Sequence, residues 1–405
     1  MKNVIFTICA KNYLAQAYTL GQSIKHHEPD TDFFIIVSDF IGDIELNNSF
    51  THLSPKILSE INIEDLSFKY NVIEFSTAIK PFFITYFFKK NYDKVVYLDP
   101  DMYIYNNLNI IYNNLDDYDF IITPHIRKHY IEFNGSTSEE EILFVGIYNL
   151  GFFAVRNTSI SLRFIKWWEE KLKEQCYADK FDALHVDQKW LDFLPSFFPE
   201  NVLIEKSPTI NMASWSIHEV EFQEINEIYY IDEQPLVIYH FSGIDILDDD
   251  NINKKQSKFN LSNKPEYKNL FKKYRDTVKK LNFEYYNKLN YSYDYFENGV
   301  FIDAYLRRIY RSLDVDVKKM FVSHFSIGEN TLYSFFEYNK LLIGEKSNKY
   351  NRLKKTFKNA DRKIKLFENI LHSIKKIIGI KYYYILVRFM SVYSRFENHK
   401  FLLKK

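Results

Sequence analysis

Short and almost uninterrupted apolar runs alternate with helix-like patterns in the first 155 residues. The apolar runs cover residues 2–9, 33–37, 95–98, 118–123 and 148–156. Between them, apolar positions within residues 14–24 and 82–90 recur at helical spacing. Continuous apolar strands that are connected by helices are typical of a parallel sheet covered on both faces. The pattern therefore predicts an α/β domain with a Rossmann-like, mostly parallel sheet and helices on both faces.

The pattern changes after residue 250. Residues 254–280 are polar and helical, and residues 362–376 place isoleucine, leucine and phenylalanine at helical spacing with lysines opposite. We therefore expect an α/β domain over residues 1–250, a helical extension over 251–345, and a basic amphipathic helical tail over 346–405.

Two smaller features add local expectations. Gly151 interrupts an apolar run, which indicates a bulge or the close approach of a ligand or another backbone. The charge run Glu139–Glu141 indicates a solvated loop, and residues 210–219 indicate irregular structure.

Composition supports a folded chain in a reducing compartment. With 405 residues and 46% hydrophobic content, the chain can bury a large core, which excludes global disorder. Of the two cysteines, Cys9 lies in an apolar strand, so we expect no disulfide framework and a cytoplasmic location. The apolar part of the N-terminus is too short for a signal peptide, and no run of about 18 apolar residues indicates a membrane-spanning helix.

The net charge of zero conceals an asymmetry. Residues 351–405 contain 15 Lys and Arg against 3 Asp and Glu, a charge of +12, so the rest of the chain carries −12. A basic, amphipathic tail on an acidic body predicts an anionic partner, and an anionic membrane surface fits it. The alternative, a helix packed on its own body, is equally compatible with the sequence.

The candidate chemistry begins where the run at residues 95–98 ends. Asp99 and Asp101 follow it directly, and two carboxylates this close repel each other unless a cation lies between them. Hard oxygen ligands suit Mg²⁺ or Mn²⁺. Asp-Pro-Asp is also good turn chemistry, so a metal site and a solvated turn are equally supported by this motif alone.

Other polar residues also fall at predicted strand ends. Residues 10–13 follow the first strand, Asp39 follows the second, and His240 lies at the end of a last apolar run. In sheets of this class, ligands bind beyond the carboxyl ends of the strands. A lone histidine is usually structural, but here an aspartate pair needs a third ligand. Neither a Walker motif nor a glycine-rich dinucleotide motif is present, so an ATPase or dehydrogenase is unsupported.

Five short motifs occur in order along the chain: residues 7–14, Tyr97-Leu-Asp-Pro-Asp101, Tyr148-Asn-Leu-Gly151, Val186-Asp-Gln188 and His240-Phe-Ser-Gly243. Together they resemble those of bacterial glycosyltransferases with the GT-A fold, above all the retaining hexosyltransferases of family 8 and related enzymes of cell-surface polysaccharide synthesis. The resemblance implies that residues 1–250 form the catalytic domain and that residues 251–345 lie on the acceptor side.

This resemblance implies a set of roles. The nucleotide would be held by Ala10, Lys11, Asn12, Tyr13, Asp39, Lys80, Asp99 and Gly243. The metal, Mn²⁺ or Mg²⁺, would be bound by Asp99, Asp101 and His240, while Asn149, Asp187 and Gln188 would surround the donor sugar. The family usually has a lysine after the His-X-X-Gly motif that contacts the diphosphate. In this chain Ile244-Asp245-Ile246-Leu247 follows instead, which leaves that task to the metal and to Lys80 or Lys11.

The expected activity is metal-dependent transfer of a hexose from a UDP-sugar to a glycan or lipid-linked acceptor of the bacterial cell envelope, with retention. Nucleic acid is not expected as a partner. An inverting enzyme would need a base, for which Asp187, Glu219 and His218 are candidates. A nucleotidyltransferase and a non-catalytic glycan-binding scaffold are the alternatives from other classes. The expected location is the cytoplasm, with peripheral attachment to the inner face of the membrane through the tail.

Overall fold

The structure, a computed structural model, describes residues 2–42, 44–256, 258–342 and 360–403. The chain forms two compact units. The sheet unit comprises residues 1–63 and 72–292, and the helical unit comprises residues 64–71 and 293–405. The expected division after residues 250 and 345 remains a prediction, and the second of these positions lies outside the described residues.

The strands are short and lie almost entirely in the first 240 residues. They are β1 Asn3–Cys9, β2 Asp32–Val37, β3 Thr51–Leu53, β4 Lys94–Leu98, β5 Met102–Ile104, β6 Phe120–Pro124, β7 Tyr148–Arg156, β8 Ala178–Asp179, β9 Leu184–His185, β10 Val202–Ile204, β11 Met212–Ala213, β12 Phe222–Ile225, β13 Ile228–Ile231, β14 Gln234–Pro235 and β15 Ile238–His240.

Helices fill the intervals and most of the remaining chain. They are α1 Leu14–His27, α2 Ile63–Lys69, α3 Val72–Ala78, α4 Lys80–Lys89, α5 Asn109–Asp117, α6 Glu139–Val145, α7 Ser159–Glu174, α8 Leu194–Phe197, α9 Lys268–Lys280, α10 Phe283–Tyr286, α11 Ala304–Ser312, α12 Val315–Lys318, α13 Leu332–Tyr338 and α14 Ala360–Tyr393.

The main sheet has seven strands in the order β10-β6-β7-β4-β1-β2-β3. All neighbouring pairs are parallel except the two that involve β7, which runs against β4 and β6. The carboxyl ends of six strands therefore meet at one edge, and β7 begins at that same edge. The prediction of a mostly parallel sheet is confirmed.

Helices cover both faces of this sheet. On one face, Leu20 and Ile24 of α1 pack in one buried cluster with Ile5 of β1 and Val96 of β4. On the other face, the ring of Phe6 lies 5.2 Å from that of Phe87 in α4. The α7 side chain Trp168 similarly packs against Phe153, with ring centroids 5.7 Å apart. The α/β class with helices on both faces is thus confirmed.

A second, three-stranded sheet carries His240 to the functional edge. Its order is β11-β15-β5, and its strand β5 follows β4 after a short turn. Strand β15 runs antiparallel to β5 with His240 opposite Met102. Because Met102 directly follows Asp101 in the chain, this register places His240 beside the aspartate pair.

The helical unit has its own core, built around Phe68, Phe296, Leu306, Tyr310 and Phe336. This confirms a helical region in the C-terminal part of the chain. The first part of the expected tail, residues 346–359, lies outside the described residues. Within the part of the chain that the structure describes, no helix combines the length and the apolar character needed to cross a membrane.

Two local expectations are wrong. The acidic run at 139–141 is the first turn of α6, because Ser138 caps that helix and its Oγ accepts a hydrogen bond from the Glu141 N–H. The supposedly irregular stretch at 210–219 contains β11 and a 3-10 helix, Ser214–Glu219. The bulge expected at Gly151 is confirmed, because the register of β6 against β7 shifts between Ile121 and Thr123, which pair with Ala154 and Asn149. A Cβ on Gly151 would lie 2.4 Å from Cε1 of His240.

Candidate functional site

Asp99, Asp101 and His240 converge at the edge where the parallel strands end. Their ligand atoms lie within 4.8 Å of one another. Nε2 of His240 is 3.1 Å from Oδ1 of Asp101 and 3.7 Å from Oδ2 of Asp99. The other oxygen of Asp99 accepts a 2.6 Å hydrogen bond from the Tyr97 hydroxyl.

The electrostatics of the cluster differ between the two carboxyls. Burial raises the pKa of Asp99, and the nearby charges of Lys80 and His240 offset only part of that effect. Burial also acts to raise the pKa of Asp101. The positive charge of His240 and the hydrogen bond that His240 donates outweigh this effect, so the pKa of Asp101 is lowered. A cation placed between the three groups would remove the repulsion between the two carboxylates.

The donor set fits a divalent metal. Two carboxylate oxygens and one imidazole nitrogen are a combination that Mn²⁺ and, with more water ligands, Mg²⁺ accept. Among the described residues this is the one group of three potential ligands found that close together.

Asn149 and Gln188 support the start of β7, which forms one wall of the site. Asn149 Oδ1 accepts the Gly151 N–H at 3.1 Å. The Gln188 amide spans two backbone groups, accepting from the Leu150 N–H at 3.0 Å and donating to the Val145 carbonyl at 2.9 Å. Both side chains therefore hold backbone near the cluster.

Lys80 and Asp187 form a buried ion pair. Their charged atoms are 2.5 Å apart and both side chains are 2% exposed. Lys80 also donates to the Leu150 carbonyl at 2.9 Å, and its ammonium lies 4.0 Å from the centre of the Tyr97 ring. Burial raises the pKa of Asp187, and the charge of Lys80 opposes this rise. The ion pair therefore lies next to Tyr97, whose hydroxyl donates to Asp99.

Asp39 and Lys11 form a second polar group at the ends of β1 and β2. Asp39 Oδ1 accepts hydrogen bonds from the N–H groups of Phe40, at 2.7 Å, and Ser292, at 2.9 Å. The Lys11 ammonium donates to the Ser292 Oγ at 2.6 Å and lies 3.8 Å from Asp39 Oδ2. That second oxygen is buried and accepts no hydrogen bond from any residue the structure describes.

The segment that follows β1 links the two groups. Ala10 is buried and precedes the 3-10 helix Lys11–Tyr13, in which Asn12 is half-buried. Burial raises the pKa of Tyr13 to about 12, with smaller contributions from the charges of Asp101 and Asp99. The Tyr13 phenol is therefore within electrostatic reach of the metal-ligand cluster.

Gly243 folds a later loop back onto the site. Its φ is +72°, and a Cβ there would lie 2.4 Å from Oδ1 of Asn253. The backbone N–H of Lys254 donates to the Gly243 carbonyl at 2.8 Å. The next residue, Lys255, is exposed, and its charge acts on both Asp101 and His240. An exposed cation that makes no ion pair with any residue the structure describes therefore lies near the cluster, although no lysine follows Gly243 directly.

Six site residues were assigned no role from the sequence: Tyr97, His125, Asn211, Trp215, Lys255 and Ser292. Tyr97 lies in one of the five motifs, and His125 follows the end of β6 as Asp99 follows β4. Burial lowers the pKa of His125 to about 4, and its Nε2 lies 3.3 Å from the Asn149 amide nitrogen.

Two candidate bases have other contacts. Glu219 pairs with Arg127, and its carboxylate accepts from the N–H groups of Arg127 and Lys128. It therefore anchors the loop after β6. His218 packs its ring against Tyr130 and Phe133.

No family model matches the chain. Two proteins of Bacillus subtilis (strain 168) are similar in sequence. Uncharacterized protein YfnF is 24% identical over 61% of this chain and 83% of its own, and uncharacterized protein YfnD is 24% identical over 61% and 79%. An identity this low assigns neither a family nor an activity.

Among solved structures, the glycosyltransferase GlyE of Streptococcus pneumoniae TIGR4 gives a TM-score of 0.40 at 14% identity, over 73% of this chain and 67% of that one. The galactosyltransferase LgtC, in complex with donor and acceptor sugar analogues, gives 0.39 at 13% identity, over 69% and 96%. Scores this low do not establish a shared fold, so the function proposed below rests on the residues of this chain.

Proposed function

We propose that this chain is a metal-dependent glycosyltransferase that moves a hexose from a UDP-sugar to a glycan or lipid-linked acceptor of the bacterial cell envelope. The observation that carries the proposal is the cluster of Asp99, Asp101 and His240 at the carboxyl ends of parallel strands, with ligand atoms within 4.8 Å. Bound there, Mn²⁺ or Mg²⁺ would supply Lewis-acid stabilisation of a diphosphate leaving group.

The second polar group suits the nucleoside. Asp39 is 3% exposed, and its Oδ2 lacks a hydrogen-bond donor among the described residues. A buried acceptor of this kind costs free energy unless a ligand satisfies it. The imide N–H of uracil or a ribose hydroxyl would do so, with Lys11 and Ser292 keeping the carboxylate in place.

Lys255 suits the diphosphate. Lys80 is paired with Asp187 and Lys11 with Asp39, whereas the Lys255 side chain is exposed beside the cluster. Its ammonium would neutralise part of the negative charge that develops on the leaving group. In this proposal, Lys255 takes the role of the lysine that the sequence lacks after Gly243.

The sugar would lie between the start of β7 and the Lys80–Asp187 pair. We propose transfer with retention, as the resemblance to family 8 implies. The surroundings of the three candidate bases support this. Asp187 is held by Lys80 and Glu219 by Arg127, so neither carboxylate is unengaged. The ring of His218 packs against Tyr130 and Phe133. Asn149, Asp187 and Gln188 would orient the donor and stabilise positive charge at the anomeric carbon.

Purified protein with Mn²⁺ and a panel of nucleotide sugars tests the proposal. Release of UDP supports a transferase, whereas incorporation of labelled pyrophosphate would indicate a nucleotidyltransferase, and the absence of any turnover would favour a glycan-binding scaffold. NMR of the product reports the anomeric configuration. An inverted linkage would contradict retention and return Asp187 and Glu219 to consideration as bases.

We further propose that the basic tail attaches the protein to the inner face of the membrane. No side chain described between residues 362 and 393 is buried, and large apolar groups such as Ile377 and Phe389 are 82% and 58% exposed. Lysines and arginines flank them, which suits an anionic lipid surface. A lipid-linked acceptor would then be close to the site.

A further inference from the structure

Asn211 occupies an unusual position next to the metal-ligand cluster. It immediately precedes β11, is 2% exposed and has a φ of +57°. Among residues other than glycine, asparagine is one of the few that tolerate this left-handed region. The backbone geometry thus suits an asparagine, and its amide is enclosed among polar groups of the site.

The orientation of the Asn211 amide follows from a backbone donor. The Gly151 N–H donates to Oδ1 of Asn149, which identifies that atom as an oxygen. The Asn211 Nδ2 lies 3.1 Å from that oxygen and 2.7 Å from Oγ1 of Thr123. An oxygen in place of Nδ2 would face the Asn149 oxygen without a hydrogen between them. The amide nitrogen therefore points to Asn149 and Thr123.

The other end of the amide faces His240. Oδ1 of Asn211 lies 3.2 Å from Nδ1 of His240. An amide oxygen only accepts hydrogen bonds, so Nδ1 must carry the hydrogen. Nε2 faces Asp99 and Asp101, and in the protonated ring it donates to Asp101. In the neutral ring that binds a cation, the lone pair resides on Nε2.

We propose that Asn211 is a positioning residue that fixes His240 in the Nδ1–H tautomer and so presents its Nε2 lone pair to the cation. Ligating histidines commonly donate their second ring N–H to such a partner, and losing that partner weakens metal binding. Two neighbours of the His240 ring are compatible with this orientation. Gly151 leaves space for the imidazole, and Trp215 packs edge-on against it at 5.3 Å between ring centroids.

This inference rests on the metal site of the proposed function. The test titrates Mn²⁺ alone into the full-length protein, with free Mn²⁺ measured by electron paramagnetic resonance. Asn211→Gly suits the left-handed backbone and removes the amide, and we expect it to weaken Mn²⁺ binding about 10-fold to 100-fold. Asn211→Asp keeps an oxygen that accepts from Nδ1–H but replaces the Nδ2 donor to Asn149 by a second oxygen, so its affinity should lie between those of Asn211→Gly and the wild type.

A second measurement separates positioning from general destabilisation. With [¹⁵N]histidine-labelled, Mg²⁺-loaded protein, the His240 Nδ1–H should be protected from exchange with water in the wild type and in Asn211→Asp, and should exchange rapidly in Asn211→Gly. The control Asn339→Gly, which removes another buried amide, should lower the melting temperature and leave Mn²⁺ binding unchanged.

The possible results are distinguishable. If the wild type binds Mn²⁺ and Asn211→Gly binds it equally well, the role of Asn211 is refuted while the metal site stands. Equal loss in Asn211→Asp and Asn211→Gly would also refute it, because the oxygen acceptor would not matter. A wild type that binds no Mn²⁺ would overturn the metal site and this inference together.

Discussion

At the scale of single residues, Asp101 offers the most direct test of the site. Its Oδ1 lies 3.1 Å from Nε2 of His240, and replacing one oxygen by an amide nitrogen removes a charged metal ligand while keeping the shape. We expect Asp101→Asn to reduce Mn²⁺-dependent UDP binding and turnover by at least about 100-fold. The melting temperature without metal should change little, as measured by differential scanning fluorimetry.

The control for this variant is Asp276→Asn, which removes a partly exposed carboxylate on α9. It should leave UDP binding intact. A large loss of stability in Asp101→Asn, without a specific effect on metal binding, would instead show that Asp101 only stabilises the turn after β4.

Lys255 allows a second test at this scale. We expect Lys255→Gln to raise the KM for the UDP-sugar about tenfold, because one charged contact to the diphosphate is lost. Lys254→Gln is a matched control, since this exposed neighbour contacts Gly243 through its backbone alone among the contacts described. If steady-state kinetics show the same KM for both variants, Lys255 does not bind the donor.

Some residues of the site could be predicted from the sequence and others could not. Asp99, Asp101 and His240 could be found because each follows or ends an apolar run, and strand ends meet at one edge. Lys255 could not, because the loop that carries it folds back through contacts of Gly243 with Asn253 and Lys254, and no local pattern predicts these contacts. Asn211 was equally hidden, since neither its positive φ nor its amide partners follow from local pattern.

At the scale of elements, β7 combines structural and functional constraints. It is the antiparallel strand of the main sheet, and its residue Gly151 faces the His240 ring. In Gly151→Ala the new Cβ would meet Cε1 of His240 at 2.4 Å, so the ring must move. We expect Mn²⁺ affinity, measured by isothermal titration calorimetry, to fall about tenfold.

Gly299→Ala is the corresponding control, because a Cβ at Gly299 would meet no atom within 4 Å. Because φ at Gly299 is positive, alanine there should cost some stability, but the Mn²⁺ affinity should not change. Wild-type affinity in Gly151→Ala would mean that the His240 ring is not constrained by β7.

Helix α14 permits a test of membrane attachment. The full-length variant with Lys375, Lys376 and Lys381 replaced by Glu reverses three charges among the exposed apolar residues. Each lysine near an anionic bilayer contributes about 1 kcal/mol, so partitioning to phosphatidylglycerol vesicles should fall by more than about 100-fold. Vesicle flotation measures it. The matched control replaces Lys272, Lys279 and Lys280 on α9 by Glu. Equal effects of the two triple variants would exclude a specific role of α14.

Helix α6 shows how an element was misread. Its acidic first turn suggested a loop, yet Ser138 is a good N-cap and Glu139–Glu141 favour the positive end of the helix dipole. The signal was local and readable. In contrast, the pairing of β15 with β5 depends on sequence positions more than 130 residues apart and is not encoded in either segment alone.

At the scale of the whole molecule, buried histidine makes stability depend on pH. The pKa of His125 is lowered by burial from 6.5 to about 4. Between these values the unfolded chain binds the proton more strongly, so the free energy of unfolding falls as pH falls from about 6.5 to 4. The contribution of this one residue across that window is about 3 kcal/mol.

His125→Gln removes this titration. Urea unfolding followed by tryptophan fluorescence reports on the sheet unit, because all four tryptophans lie there. The stability difference between wild type and variant should shift by about 3 kcal/mol in favour of the variant between pH 7 and pH 4. Parallel pH profiles would show that the pKa of His125 is the same in the folded and the unfolded protein.

The α/β class of the molecule was predictable because continuous apolar strands and helical intervals repeat through the first 155 residues. The direction of β7 was not, since an apolar run does not state whether its neighbours are parallel. The division into units could not be predicted as a simple cut along the chain, because Phe68, early in the chain, belongs to the core of the helical unit.

The register between β15 and β5 has a practical consequence. His240 faces the aspartates only when it stands opposite Met102, and a shift of one residue would turn the imidazole to the other side of the small sheet. The affinity for the metal therefore depends on the alignment of β15 with β5. In a refolded preparation, misaligned molecules would lack the third ligand and would therefore lose Mn²⁺ to an added chelator before correctly aligned molecules do.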